Sequence, residues 1–323
     1  LLVDDDRFYD QGPTYRAAME AADLPYDLWE AHSVTGTETS PPLERLRWYP
    51  SVVWWTGHDW YRPLTEGEQG TLQAYLDGGG RLLFSSQDYL YNQPNQQPGA
   101  FAQNYLGVLG HTEDFSSTLT IGEPGSPVGH RLGPYPLTFP LGYNNWTDGL
   151  TPTVTAQVAS RGQAEQPNAL TQAGLGPGGQ SWRTNFMAYG FELLAPADRN
   201  RLMQRSLGWL SWLGRSTVTP SLTAARDGET VVYTATLSND GWDDLATAYF
   251  TATRPAELSW GSFSPDLSLV GDELRWSGPL TQNETRVFTY SAAIANSLPT
   301  GTLVEQTSWL AYPEHNIRFD RIV

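Results

Sequence analysis

Apolar and polar positions alternate in two rhythms along roughly the first 100 residues, the pattern of strands interleaved with helices. Leu1-Leu2-Val3 is a short apolar run that stops at Asp4-Asp5-Asp6, and Tyr15, Ala18, Met19 and Ala22 then share one face at helical spacing. Pro25 closes that helix, Tyr26-Asp27-Leu28-Trp29 alternates as a second strand, and Ser40-Pro41-Pro42 opens a helical turn over 43–48. The run 51–56, Ser-Val-Val-Trp-Trp-Thr, is apolar without alternation, as a parallel strand covered on both faces requires. Thr65-Glu66-Gly67-Glu68 matches a capping box and predicts a helix that ends at Gly78-Gly79-Gly80. Arg81 to Ser85 is the next strand. The right-handed crossover rule places the first strand between the second and third in a parallel sheet.

Beyond residue 111 the pattern becomes rich in strands and turns, with candidate strands at 119–121, 153–158, 169–171 and 185–189, and a glycine-rich turn over 174–179. An amphipathic helix over 198–213 closes the segment. From Thr217 onward, Thr and Ser alternate with apolar residues, as in 231–237 and 286–292, which predicts an antiparallel sandwich. The boundary is set near Gly214-Arg215, giving an α/β domain over 1–214 and an all-β domain over 215–323.

Charge narrows the function. There are 35 acidic residues against 19 basic ones, every basic one is Arg, and the net charge is −16. Such a chain is a poor ligand for nucleic acid or anionic membrane, because phosphate contacts need basic patches. No run of about 18 apolar residues suggests a membrane span. The chain has no Cys, which excludes disulfides, zinc thiolates and a cysteine nucleophile. It also opens inside an apolar strand, without an initiating Met or a signal peptide, so a longer polypeptide with a linked upstream domain is expected.

The second domain resembles the Thr-rich sandwich repeat of bacterial surface proteins. The residues that carry the likeness are 227–234 (Asp-Gly-Glu-Thr-Val-Val-Tyr-Thr), 237–241 (Leu-Ser-Asn-Asp-Gly), Leu274-Arg275-Trp276 and 298–302 (Leu-Pro-Thr-Gly-Thr). The resemblance implies an immunoglobulin-like spacer in an extracellular or cell-surface setting. The first domain resembles the class I glutamine amidotransferase-like group, a flavodoxin-like parallel sheet. Residues 52–57 match its glycine-ended oxyanion strand, 81–87 its nucleophile strand with Ser85 or Ser86 where the cysteine would stand, and 186–192 its last motif. In that last motif Gly190 replaces the histidine and Glu192 is retained. It is also similar to cysteine-free relatives appended to secreted bacterial peptidases, on the strand ending in three Asp and the Ser86-Gln87-Asp88-Tyr89-Leu90 turn.

Three functions follow as expectations. The first is a non-catalytic accessory module binding a polysaccharide or protein at the carboxyl edge of the sheet, with Gly57, Asp59, Trp60, Gln87, Asp88 and Tyr89 as ligand-binding candidates. The second is a hydrolase: Ser86 as nucleophile with His58 and Glu192 as weak partners, or a metal held by acids. The flanks of Ser86 lack the Gly-x-Ser-x-Gly pattern, and an unactivated serine is a poor nucleophile. The third is a structural spacer. Asp4, Asp6, Asp59 and Asp88 all follow strands of the expected sheet. Read together they are a cation site, Ca²⁺ foremost outside a cell; read separately they cap loops and helix N-termini. Trp54, Trp55, Trp60, Tyr61, Tyr89, Tyr91 and Trp146, beside an amide-rich loop over 92–97, suggest a sugar or peptide platform. Asn145-Trp146-Thr147 and Asn283-Glu284-Thr285 fit the glycosylation pattern.

Overall fold

The apolar strand Val52–Gly57 and the strand Arg81–Ser86 stand side by side in the middle of a sheet, every residue of both buried. A computed structural model describes residues 1–31, 39–140 and 142–323, so His32 lies outside the described residues. The chain divides into two compact units, Leu1–Ser211 and Trp212–Val323.

The first unit contains strands β1 (Leu2–Asp4), β2 (Leu28–Glu30), β3 (Val52–Gly57), β4 (Arg81–Ser86), β5 (Val108–Thr112), β6 (Leu119–Gly122), β7 (Tyr135–Pro136), β8 (Gly149–Pro152), β9 (Gln157–Arg161), β10 (Pro167–Leu175) and β11 (Ser181–Met187). Its helices are α1 (Gly12–Ala21), α2 (Leu43–Leu46), α3 (Glu66–Asp77) and α4 (Pro196–Leu210). The main sheet runs β2-β1-β3-β4-β11-β10-β9-β6-β7. From β2 to β11 all neighbours are parallel, and β1 lies between β2 and β3 as the crossover rule requires. From β11 onward the pairing is antiparallel, so the sheet as a whole is mixed. β5 and β8 form a separate antiparallel pair.

Alternation along the central strands feeds two cores. Val52, Trp54, Leu82 and Phe84 pack with Leu72, Tyr75 and Leu76 of α3. On the opposite face Tyr15 of α1 stacks on Trp55, ring centroids 4.0 Å apart and 9° from parallel. The capping box at the start of α3 forms in full: the Thr65 hydroxyl accepts from the Glu68 amide, and the Glu68 carboxylate accepts from the Thr65 amide. Several expected bounds shift. The strand expected over 153–158 is β9, which begins only at Gln157, because 153–156 form a turn. The last parallel strand begins at Ser181 rather than 185 and ends at Met187, so Ala188 and Tyr189 lie beyond it. The closing helix starts at Pro196, which suits a first-turn position, and ends at Leu210.

The second unit is a sandwich of two antiparallel sheets. One comprises β12 (Thr217–Pro220), β13 (Thr230–Ser238), β18 (Thr285–Ile294) and β15 (Leu258–Phe263), in that order. The other comprises β16 (Ser268–Val270), β17 (Glu273–Leu280), β14 (Leu245–Thr253), β19 (Thr307–Tyr312) and β20 (Ile317–Ile322). Strict alternation places Val231, Tyr233, Ala235 and Leu237 inward, against Phe250, Trp276, Phe288 and Tyr290.

Candidate functional site

In open α/β sheets ligands meet the carboxyl ends of the parallel strands, and here the ends of β1, β3, β4 and β11 carry the chain's most unusual polar groups. Ser85 is a strap between β4 and the turn after β11. Its hydroxyl donates to the Tyr189 carbonyl at 3.0 Å and accepts from the Phe191 amide at 2.9 Å. The Ser86 hydroxyl accepts from Thr56 Oγ1 at 2.7 Å and is buried. Neither serine, nor Gln87, has the left-handed backbone of a nucleophile elbow. Ser86 is therefore a buried strand residue whose hydroxyl, among the described residues, is bonded to Thr56 rather than to a His or a carboxylate.

His58 is buried and committed elsewhere. Gln87 Nε2 donates to its Nδ1 at 2.8 Å, which leaves the ring proton on Nε2. The ring stacks on Trp146 at 4.5 Å and meets Tyr143 at 4.2 Å, with Tyr9 edge-on at 5.8 Å. Burial lowers its pKa, so the imidazole is held neutral.

The space beside Gly190 is filled by a carboxyl group. A Cβ on Gly190 would stand 2.2 Å from Glu192 Oε1. That carboxyl group accepts from the Tyr143 hydroxyl at 2.6 Å and the Tyr15 hydroxyl at 3.1 Å. Across from it, a Cβ on Gly57 would meet Asp6 Oδ2 at 2.2 Å. The space beside Gly57 is thus occupied by the Asp6 carboxyl group. Burial, then the neighbouring Glu192, pushes Asp6 up to about 8, and burial raises Glu192 as well.

The four aspartates expected to share a cation do not converge. Asp4 accepts from the Asp6 amide, and Asp6 accepts from the amides of Phe8 and Tyr9. Asp59 accepts from Arg7 Nε at 2.9 Å and from the Tyr61 amide at 2.8 Å. Asp88 takes no part in these turns: Asp114, Asp59 and Glu113 bear on it, and it bears in turn on Asp148. Among the described residues no group of three or more His, Asp or Glu is placed to hold a metal. Short side-chain-to-backbone turns have outcompeted a shared site.

Of the ligand-binding candidates, Trp60 is exposed, whereas Gly57, Asp59, Gln87, Asp88 and Tyr89 are buried. Tyr89 belongs to the core beside Phe84 and Phe186, its hydroxyl on Gln69. Gln87 also donates to the Asn144 carbonyl, and its Oε1 is buried without a hydrogen-bond partner. Trp54 and Trp55 are core residues too. The exposed rings at this edge are Phe8, Trp60, Tyr61 and Tyr91.

Residues 143–148 were missed as a group by sequence reasoning. They supply Tyr143 and Trp146 to the His58 cage, and Asp148, whose Oδ2 is buried without a partner, as is that of Asp88. Burial first, then Asp88, pushes Asp148 up to about 9. The Tyr-Asn-Asn-Trp-Thr-Asp string was a usable signal, since so many amphipathic residues in a row seldom form a plain loop. Asn145 is turned inward, donating to the Ser117 carbonyl while its Oδ1 accepts from Thr147, so its glycosylation motif is part of a turn.

No family model and no curated protein matches the chain. Among solved structures it is similar to a GH42 β-galactosidase from G. stearothermophilus, at 11% identity and a TM-score of 0.41, over 87% of this chain and 36% of that one. It is also similar to the N-terminal domain of the Streptococcus gordonii adhesin Sgo0707, at 12% identity and 0.29, over 34% of this chain and 31% of that one. A third likeness is to the full-length major pilin SpaD of Corynebacterium diphtheriae, at 8% identity and 0.28, over 44% of this chain and 35% of that one. The matched region spans about a third of each of these proteins. No helix among the described residues is long and apolar enough to cross a membrane. These distant likenesses leave the function to be argued from the carboxyl edge itself.

Proposed function

We propose that the chain is a non-catalytic binding module of a secreted or cell-surface protein. Its first unit is a glutamine amidotransferase-like, flavodoxin-type domain that engages a ligand at the carboxyl edge of its sheet. Its second unit is an immunoglobulin-like spacer. The observation that carries this reading is the replacement of every catalytic position by an internal contact. Glu192 fills the space beside Gly190, Asp6 fills the space beside Gly57, and both serines of β4 are locked in buried hydrogen bonds. The strand order β2-β1-β3-β4-β11 supports the fold assignment. What faces solvent at this edge includes four aromatic rings, which supports binding rather than reacting chemistry.

Two measurements test the reading. Amidase and esterase turnover of the natural chain should equal that of Ser86→Ala, and serine-directed covalent labelling confined to Ser86 would overturn it. Because the chain has no Cys, an environment-sensitive fluorophore can be attached through Gln97→Cys, in the loop after β4, or through Val154→Cys, in the turn before β9 at the opposite edge. Ligands should change the first signal and not the second. A ligand that moves only the second would refute binding at the carboxyl edge.

A further inference from the structure

The loops that follow β1, β3 and β4 hold four exposed aromatic rings, Phe8, Trp60, Tyr61 and Tyr91, each 42–52% exposed. No exposed Leu, Ile, Val or Met accompanies them in these loops. The rings are not loose. Asp6 accepts from the Phe8 and Tyr9 amides and sets the first turn. Asp59, fully buried, accepts from the Tyr61 amide and from Arg7 Nε, which ties the first loop to the second. The Arg7 guanidinium lies 5.7 Å from the Tyr61 ring centre. Asn92 donates to the Trp60 carbonyl at 3.3 Å, tying the third loop to the second. Trp60 and Tyr61 stand 6.1 Å apart with ring planes at 70°. Exposed Asn92, Asn95, Gln96 and Gln97 flank Tyr91.

We infer that this edge is a binding site for a neutral polysaccharide, a proposal that rests on reading the edge as the ligand surface. The apolar C–H face of a pyranose matches the electron-rich face of an aromatic ring, and its equatorial hydroxyls need amide groups at the rim. Both are present here, on turns already held in place, so little ordering is needed on binding. Charge selects within the class. With Asp6 and Asp88 held protonated by burial, the loops over 5–11, 58–65 and 87–99 carry Asp5, Asp10 and Asp59 against Arg7 and Arg62, and Arg7 is committed to Asp59. With charges so nearly balanced, the edge offers a polyanionic glycan no basic patch. The core of a protein interface is enriched in Met as well as aromatic residues, and these loops carry no Met.

The test is native affinity electrophoresis through gels containing hydroxyethylcellulose, galactomannan or amylopectin, with polygalacturonate and gelatin as the other arms. At least one neutral polysaccharide should retard the natural chain, equally at low salt and at about 0.5 M NaCl, because no charge pair is involved. Trp60→Ala and Tyr61→Ala should each weaken that binding about tenfold, as expected for an aromatic anchor. Trp48→Ala should leave it unchanged, since Trp48 is exposed just before β3, at the opposite edge. Melting curves of the variants check that they remain folded. Retardation by none of the neutral polysaccharides, or only by polygalacturonate or gelatin, overturns the proposal. If gelatin moves the Gln97→Cys fluorophore, the edge reading stands and the glycan inference fails. If a neutral polysaccharide binds but leaves both that fluorophore and the effect of Trp60 removal silent, both fail.

Discussion

Asp88 and Asp148 are buried carboxyl groups, 4% and 2% exposed, each with an oxygen that has no hydrogen-bond partner. The charged groups that bear on them are all acidic: Asp59, Glu113 and Asp114, besides one another. Burial, with that repulsion added, pushes Asp88 up to about 8 and Asp148 up to about 9 from an ordinary 3.8. The folded chain therefore holds these protons at neutral pH and the unfolded chain does not. Stability from this source is complete below the unfolded value, falls as pH rises, and is gone above the folded values. In between, each group removes about 1.4 kcal/mol per pH unit, or roughly 4 kcal/mol from about pH 5 to about pH 8.

Asp148→Asn keeps the shape and removes the titration. Unfolding free energies from urea denaturation, followed by tryptophan fluorescence across that range, should show a shallower pH dependence in the variant. The difference in slope should be about 1.4 kcal/mol per unit, and the variant should be the more stable protein at about pH 8. Asp88→Asn should behave in the same way. Buried His58 and half-buried His111 and His315, whose pKa values burial lowers, oppose this trend below their ordinary 6.5. They are common to both proteins and cancel in the difference. Parallel profiles, or a variant less stable at every pH, would show that the pair is ionised in the fold and would refute the reasoning.

Other expectations concern the tightly packed positions at the carboxyl edge. Ser85→Ala, which removes a donor and an acceptor between β4 and the turn after β11, should cost about 2 kcal/mol, and Ser86→Ala, losing one bond to Thr56, distinctly less; paired denaturation curves rank them. Gly190→Ala, forced against a Glu192 carboxyl held by Tyr15 and Tyr143, should destabilise by about 1–3 kcal/mol, and Tyr143→Phe in that background should add little because the bond is already lost. Gly57→Ala should cost more than an ordinary surface change, since it combines a φ of +53° with a clash on Asp6; its melting temperature checks this. Thr65→Ala, which removes one half of the capping box, should cost about 1 kcal/mol, and the loss should show in the thermal unfolding of the first unit.

What was legible in the sequence is what local chemistry decides. Runs such as 52–56 and 81–84 need cover on both faces, and a Thr followed three residues later by Glu starts a helix wherever the chain goes next. The aspartates at strand ends obey the same local logic, which sequence position alone does not separate from a shared cation site. Asp4, Asp6 and Asp59 each accept from an amide two or three residues onward, and a carboxylate that has closed its own turn is not free to reach across a crevice. Long-range pairing was the illegible part. Strands β5 to β10 come from a segment without strong periodicity, yet that segment delivers Tyr143, Trp146 and Asp148 to the carboxyl edge from more than fifty residues beyond β4. Gly190 shows how the two kinds of information combine. Read alone, through the resemblance, it suggests a missing base. Set beside Glu192, which occupies the vacated volume and takes hydrogen bonds from two tyrosines of distant segments, it is a requirement of the packing. Any side chain there must displace a carboxyl group that the fold has already satisfied, so the glycine is held by stability, independently of any chemistry lost.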